Sequence, residues 1–150
     1  MPQSIEVMKM SLEHIDDVMV VEHLSFSIPW SKEAFIEEVS NNKFAHYISA
    51  LVDGKVAGYA GMWKVCDEGH ITNVAVHPEY RGMGIGSSLI ERLLEMARSY
   101  EIGSMTLEVR KSNLIAQSLY SKYGFKVGGF RRRYYADNGE DALIMWKDRM

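Results

Sequence analysis

The chain has 150 residues, of which 47% are hydrophobic and 11% aromatic, so we expect one domain over residues 1–150 with one substantial core. A formal net charge of -3 argues against direct nucleic-acid binding, which usually needs a basic face. No apolar run reaches the ~20 residues of a membrane span, and the start of the chain lacks the pattern of a signal peptide. For the same reason we expect no contact with a membrane. Because Cys66 is the only cysteine, no internal disulfide can form, and we expect a cytoplasmic protein.

The first forty residues predict a strand and two helices. Residues 5–10 alternate between apolar and polar types, as a half-buried strand does. Ser11 is a candidate N-cap for a first helix, and Ser31 for a second, with Trp30 and Phe35 placed as a hydrophobic staple. The apolar face predicted for the first helix consists of Ile15, Val18, Met19, Val20 and Val21.

Strand patterns dominate the middle of the chain. Segments 44–52 and 55–65 flank Asp53-Gly54, a strong hairpin turn, and 70–76 predicts a third strand. Apolar residues then recur at helical spacing from 85 to 97.

The last third predicts strands at 105–109, 125–133 and 142–146, with a short helix at 113–123. The resulting order is β-α-α-β-β-β-α-β-α-β-β. Such an order predicts an α/β protein of the α+β type, with a mixed, mostly antiparallel sheet flanked by helices.

The segment from Val74 to Ser87 carries the strongest functional signal. A strand ends, a proline turn follows, and Gly82, Gly84 and Gly86 open a helix beside Arg81. The first turn of a helix has unpaired N–H groups and a positive dipole end, which suits a pyrophosphate. A glycine-softened turn without a ligand is the alternative. Three alternate glycines favour the phosphate site, because each one weakens the helix.

Arg81, Gly84 and Gly86 match the Arg/Gln-x-x-Gly-x-Gly/Ala signature of the GCN5-related N-acetyltransferase (GNAT) superfamily. The chain resembles that superfamily over nearly its whole length, which implies a GNAT-like domain with acetyl-CoA as acetyl donor. The resemblance implies that the glycine loop holds the CoA pyrophosphate and that the preceding strand pairs with the pantetheine arm. The implied cofactor-binding residues are Val74, Ala75, Val76, Arg81, Gly82, Met83, Gly84, Ile85, Gly86 and Ser87.

Three further segments extend the resemblance, and two of them are similar to a narrower group. Residues 107–125 resemble the second half of the GNAT fold, whereas 132–145 and 28–31 resemble the ribosomal-protein-alanine N-acetyltransferases, or RimI-like subfamily. This resemblance implies a protein substrate, the N-terminal alanine of a ribosomal protein.

Acetyl transfer from a thioester needs a neutral amine, and an α-amine with a pKa near 7.7–8.0 is far easier to deprotonate than lysine. Glu108 is the candidate base, since the resembled subfamily uses the matching Glu as proton acceptor. Strand alternation places Thr106, Glu108 and Arg110 on one face. A carboxylate of ordinary pKa is a weak base for an amine, so we expect a water relay. The alternative is a solvated Glu108 paired with Arg110 or Lys111.

Tyr120 is the candidate acid that protonates the leaving thiolate. From its spacing alone, a packing role in the core beside Leu119 and Tyr123 is equally compatible with the sequence. The resemblance favours the catalytic role. The resemblance also implies that a backbone N–H near Val76 meets the oxyanion. Asn113 is a further candidate for cofactor binding, and it is also a candidate helix N-cap. The two roles can use different atoms.

Trp30, Tyr134 and Tyr135 are candidates to line a peptide slot, with plain packing as the alternative. The run 131–133 of arginines is interpreted as a solvated strand edge, because alternation prevents all three from facing one way. The five histidines show no pair at metal-ligand spacing, so we predict no metal.

Two other functions remain possible from the sequence. A small-amine acetyltransferase would have a deep acidic pocket, and the loop 134–141 is where it should differ from a peptide-modifying enzyme. A non-catalytic CoA-binding sensor could lack Glu108 or Tyr120, and both are present. A monomer is the expected oligomeric state.

Overall fold

A computed structural model describes residues 4–148, which form one seven-stranded sheet flanked by α-helices. The strands are β1 Ile5–Lys9, β2 Ala45–Val52, β3 Lys55–Val65, β4 Glu68–Val76, β5 Ser104–Arg110, β6 Lys126–Arg131 and β7 Ala142–Lys147. The helices are α1 Ile15–Ser25, α2 Lys32–Ser40, α3 Ile85–Ser99 and α4 Leu114–Lys122, with single 3-10 turns at Leu12–His14 and Pro78–Tyr80. The predicted order of elements and the predicted fold class are confirmed. No helix within residues 4–148 has the length and apolarity that crossing a membrane requires.

Local signals explain most element ends. The Ser31 Oγ accepts a hydrogen bond from the Ala34 N–H at 3.1 Å, and the Trp30 and Phe35 rings lie 5.3 Å apart, so the predicted cap and staple of α2 are confirmed. Asp53 and Gly54 both have positive φ, 49° and 85°, as a two-residue hairpin turn requires.

Two details of the first helix differ from the prediction. Ser11 caps the 3-10 turn that precedes α1 rather than α1 itself. Val20 is 50% exposed, whereas Ile15, Val18 and Val21 are buried. At 100° per residue, Val20 points away from the face that Val18 and Val21 share, so an unbroken apolar run misled the prediction.

The sheet order is β1-β2-β3-β4-β5-β7-β6, and only the β4–β5 pair is parallel. These two strands pair from Glu68 with Ser104 to Ile71 with Leu107 and then separate. The separation begins at a bulge, because Thr72 has no partner on β3 between Ile71 and Asn73. The β5-facing edge of residues 72–76 is therefore left unpaired inside the sheet.

Helices cover both faces of the sheet. On one face, α1 and α2 enclose a cluster that includes Tyr47 and Tyr59. On the other, α3 buries the whole predicted stripe, Ile85, Leu89, Ile90, Leu93, Leu94 and Ala97. The gap between β4 and β5 thus opens between two layers of helices.

Candidate active site

Two adjoining cavities occupy the gap. The first, of about 260 Å³, lies between the separating ends of β4 and β5, and we call it the wedge cavity. The second, of about 640 Å³, runs from β4 past the glycine loop to α4, and we call it the loop groove. The residues common to both are Ser25, Phe26, Val74, Asn113, Ala116 and Tyr120. A molecule lying in the groove can therefore reach into the wedge.

The glycine loop has the geometry of an anion cradle. Gly82 and Gly84 both have φ of 80°, and a Cβ on either would meet no atom within 4 Å. Gly84 is the N-cap of α3, whose hydrogen bonding begins with the Ser88 N–H to the Gly84 carbonyl at 3.0 Å. The earlier N–H groups of the turn have no acceptor within the helix. These features fit a pyrophosphate.

The remaining loop residues have different roles. Gly86 allows α4 to approach, because a Cβ there would lie 3.2 Å from the Leu119 side chain. Arg81 lines the loop groove and is exposed. The Met83 side chain packs against the core and does not line the groove, so only its main-chain amide is left for the predicted cofactor contact.

Gly84→Ala is expected to weaken CoA binding about tenfold. An Ala in the left-handed conformation costs roughly 1–2 kcal/mol, and a backbone that relaxes to avoid this strain changes the shape of the cradle. Isothermal calorimetry with CoA measures this. Gly54→Ala is the matched control, since Gly54 also has a large positive φ, 85°, and an open Cβ position, in the distant β2–β3 turn. Equal CoA affinity in the two variants would contradict a binding role for the loop.

Glu108 lies on β5 at the mouth of the wedge, with its side chain 15% exposed. Its Oε2 is 2.7 Å from His70 Nε2, and its Oε1 is 3.8 Å from Arg131 Nε. The His70 hydrogen bond, outweighing burial, lowers the pKa of Glu108 below its ordinary value. Glu108 is therefore a carboxylate at neutral pH, and its partners are His70 and Arg131 rather than the Arg110 or Lys111 of the alternative interpretation.

Tyr120 contributes to the lining of both cavities and is 8% exposed. Burial raises its pKa well above the ordinary value for a phenol. The hydroxyl consequently keeps its proton at any physiological pH and is available as a hydrogen-bond donor, while full loss of that proton is disfavoured. Its ring also packs edge-on to Phe125 at 6.0 Å, so the packing role exists as well.

Arg110 organises the loop between β6 and β7 above the wedge. Its guanidinium contacts Asp137 at 2.8 Å and Glu140 at 3.2 Å, and it stacks 4.0 Å from the centre of the Tyr135 ring. Asp137 also accepts a hydrogen bond from the Ser27 hydroxyl in the loop after α1. The loop after α1 and the loop between β6 and β7, which both contribute residues to the wedge lining, are thus joined to each other.

Two of the three predicted slot aromatics reach the site. Tyr134 and Tyr135 line the wedge cavity. Trp30 lines neither cavity, because its ring packs on Phe35 as the staple of α2. Phe26, at the end of α1, lines both cavities in its place.

Asn113 caps α4 through its Oδ1, which accepts the Ala116 N–H at 3.1 Å. It also lines both cavities. The cap uses the oxygen and leaves the side-chain nitrogen available, so the geometry is compatible with both predicted roles.

Sequence reasoning did not identify His70, Ser25 or Asn73 as site residues. His70 pairs in register with Thr106, two positions before Glu108 on the same face of β5. That signal exists only once the β4–β5 pairing is known. Among residues 4–148, no group of three or more His, Cys, Asp or Glu side chains is placed to hold a metal.

Comparison with known proteins agrees with this geometry. The model of the acetyltransferase (GNAT) family matches residues 15–125. A Bacillus subtilis (strain 168) protein, provisionally named a ribosomal protein bS18-alanine N-acetyltransferase, is 48% identical over 140 residues, covering 93% of each chain. The ribosomal protein bS18-alanine N-acetyltransferase of Escherichia coli (strain K12) is 35% identical over 129 residues, covering 83% of this chain and 84% of the other.

A solved structure gives the same result. The crystal structure of the ribosomal-protein-S18-alanine N-acetyltransferase from Escherichia coli superposes with a TM-score of 0.89 at 29% identity, covering 98% of this chain and 96% of the other. The family model, the two relatives and this structure all belong to acetyltransferases. The chain therefore belongs to the GNAT family and is an N-acetyltransferase.

Proposed function

We propose that this enzyme transfers the acetyl group of acetyl-CoA to the N-terminal alanine amine of ribosomal protein bS18. The observation that carries the proposal is the pair of adjoining cavities, in which the loop groove holds a phosphate-type cradle, the wedge holds the Glu108 carboxylate, and the buried Tyr120 phenol lines both. The names of relatives at 35% and 48% identity, each covering most of both chains, support the same substrate.

The donor side of the site would hold CoA along the loop groove. The Gly82–Ser87 amides and Arg81 would bind the pyrophosphate, and the unpaired edge of Val74–Val76 would bind the pantetheine arm. Acetyl-CoA supplies an activated acyl group, and a backbone N–H near Val76 would stabilise the charge that develops on its carbonyl oxygen.

On the acceptor side, Glu108 would accept the proton of the amine. Its lowered pKa makes direct capture from an α-ammonium inefficient, because the two pKa values lie far apart. We therefore propose that the Glu108–His70 pair orients a water that removes the proton. A negative charge at this position also attracts the cationic form of the N-terminus into the site.

Tyr120 would meet the leaving thiolate as a hydrogen-bond donor. Because its raised pKa disfavours the phenolate, we propose that Tyr120 stabilises the thiolate by hydrogen bonding. It would give its proton to the sulfur only if its oxygen takes up another proton at the same time.

The joined loops suit an extended N-terminus better than a bulky side-chain amine. Tyr134 and Tyr135 line one side of the wedge, and the Ser27–Asp137 contact joins the two loops from which Phe26, Tyr134 and Tyr135 line it. A slender backbone can enter such a slot end-on, with its α-amine leading.

The proposal is tested with isotopically labelled acetyl-CoA in three parallel reactions. One contains a bS18 peptide that begins with alanine, one contains a polyamine, and one contains no acceptor. We expect label in the peptide alone. Transfer to the polyamine in preference to the peptide would indicate a small-amine acetyltransferase. CoA binding without transfer to either amine would indicate a sensor.

A further inference from the structure

Two polar atoms at the wedge are buried and have no hydrogen-bond partner among the described residues. They are the Ser25 Oγ on α1 and the Asn73 Oδ1 on β4. Both residues line the wedge cavity. Buried polar groups in folded proteins are almost always hydrogen-bonded, so an oxygen left over beside a cavity indicates a ligand that donates to it.

Asn73 is held from behind by a buried pair. The Tyr59 hydroxyl, on β3, donates to both carboxylate oxygens of Glu22 at 2.9 and 3.0 Å. Tyr59 and Glu22 are only 0% and 1% exposed. The Asn73 side chain lies close to the Tyr59 hydroxyl. The Asn73 amide is therefore placed beside the Tyr59–Glu22 pair, and its oxygen has no partner among the described residues.

The position of Asn73 in the strand places its side chain beside the proposed point of attack. Asn73 directly follows the bulged Thr72, where β4 leaves β5, and precedes the edge proposed to hold the pantetheine arm. Glu108 and Tyr120 line the same cavity from the other side. The acceptor amine must therefore lie near both walls.

The chemistry of the attack requires such an acceptor. A neutral primary amine that points its lone pair at a carbonyl carbon has two N–H bonds, and each needs an acceptor, because a buried N–H group without one costs free energy. The Glu108–His70 side offers one acceptor. We infer that the Asn73 Oδ1 is the other, so that Asn73 fixes the direction of the amine lone pair. Tyr59 and Glu22 are positioning residues that orient Asn73.

This inference rests on the proposed function, and its test uses two peptides that begin with alanine or N-methylalanine. The methylated amine has only one N–H to donate. Asn73→Ala is expected to lower kcat/KM for the alanine peptide about tenfold, because one hydrogen bond is lost. It should have a much smaller effect on the N-methylalanine peptide. CoA affinity, measured by calorimetry, should equal that of the parent.

Tyr59→Phe is expected to lower kcat/KM for the alanine peptide in the same direction but less, since it only loosens Asn73. Tyr123→Phe is the matched control, because the Tyr123 hydroxyl also donates to a carboxylate, Glu91 at 2.8 Å, on an exposed surface. It should retain the parent rate.

Either of two results would overturn the inference: an Asn73→Ala enzyme that keeps the parent rate on alanine, or one that loses the same factor on both peptides. Failure of the proposed function is a separate outcome, since the parent itself would then not acetylate the alanine peptide. If the parent acetylates another primary amine, that amine and its N-methyl form replace the peptides with the same expected ranking.

Discussion

Glu108→Gln is expected to lower kcat for the alanine peptide by about 10²–10⁴, the usual contribution of a positioned proton acceptor. The amide keeps the size of the side chain and can still accept a hydrogen bond from His70, so fold and CoA affinity should be unchanged. Steady-state kinetics with calorimetry as a check measures both quantities. Glu91→Gln, at an exposed Glu that also pairs with another side chain, should leave the rate unchanged.

The pH dependence of the same reaction provides a second criterion. The pKa of Glu108 is lowered, so its carboxylate is already ionised below neutral pH and adds no step between pH 6 and 9. The rate should instead rise with pH through the ordinary pKa of the α-amine, about 7.7–8.0, because only the neutral amine attacks.

A Glu108→Gln enzyme with the full rate would contradict the assignment of Glu108 as the base. Tyr120→Phe with unchanged turnover would leave Tyr120 with packing alone.

Glu22→Gln is expected to stabilise the protein at pH 8 by up to about 3 kcal/mol and to change its stability little at pH 4.5. Burial raises the pKa of Glu22 from 4.5 to about 7, because it outweighs the hydrogen bond that the neutral Tyr59 hydroxyl donates to the carboxylate. A difference of this size between the folded and unfolded pKa corresponds to about 3 kcal/mol.

The sign follows from which state holds the proton. Below pH 4.5 Glu22 is largely protonated in both states, and the penalty is absent. As pH rises towards 7, the unfolded chain ionises while the folded protein keeps the proton, so stability is lost, and above 7 the loss is constant. Urea unfolding of parent and variant at the two pH values measures the difference. A gain that is equal at both pH values would contradict the assigned pKa. Glu91→Gln should change stability by less than about 0.5 kcal/mol.

The fold was predictable because its signals are local. The Ser31 cap with its staple, the Asp53-Gly54 turn and the α3 stripe each lie within one element or one turn, and the structure has all of them. The glycine loop is likewise a continuous segment, so its position at the start of α3 was readable.

The partners within the site were not predictable, because they depend on strand register and burial. His70 meets Glu108 only through the β4–β5 pairing, across 38 positions of sequence. Glu22 occupies an ordinary helical position and looks like a surface carboxylate until α1 is docked on β3. The sequence around Trp30 was compatible with two roles, the hydrophobic staple of α2 and an aromatic wall of the peptide slot. The Trp30 ring packs on Phe35 and therefore does not line the wedge.

The central claim is that the wedge between β4 and β5 presents an N-terminal α-amine to the thioester of acetyl-CoA. The most direct test is to incubate the enzyme with acetyl-CoA and unmodified bS18 and to locate the acetyl group by peptide mass spectrometry. The account predicts one acetyl group on the α-amine of the N-terminal alanine. Acetyl groups only on lysine side chains, or no acetyl group on bS18, would contradict it.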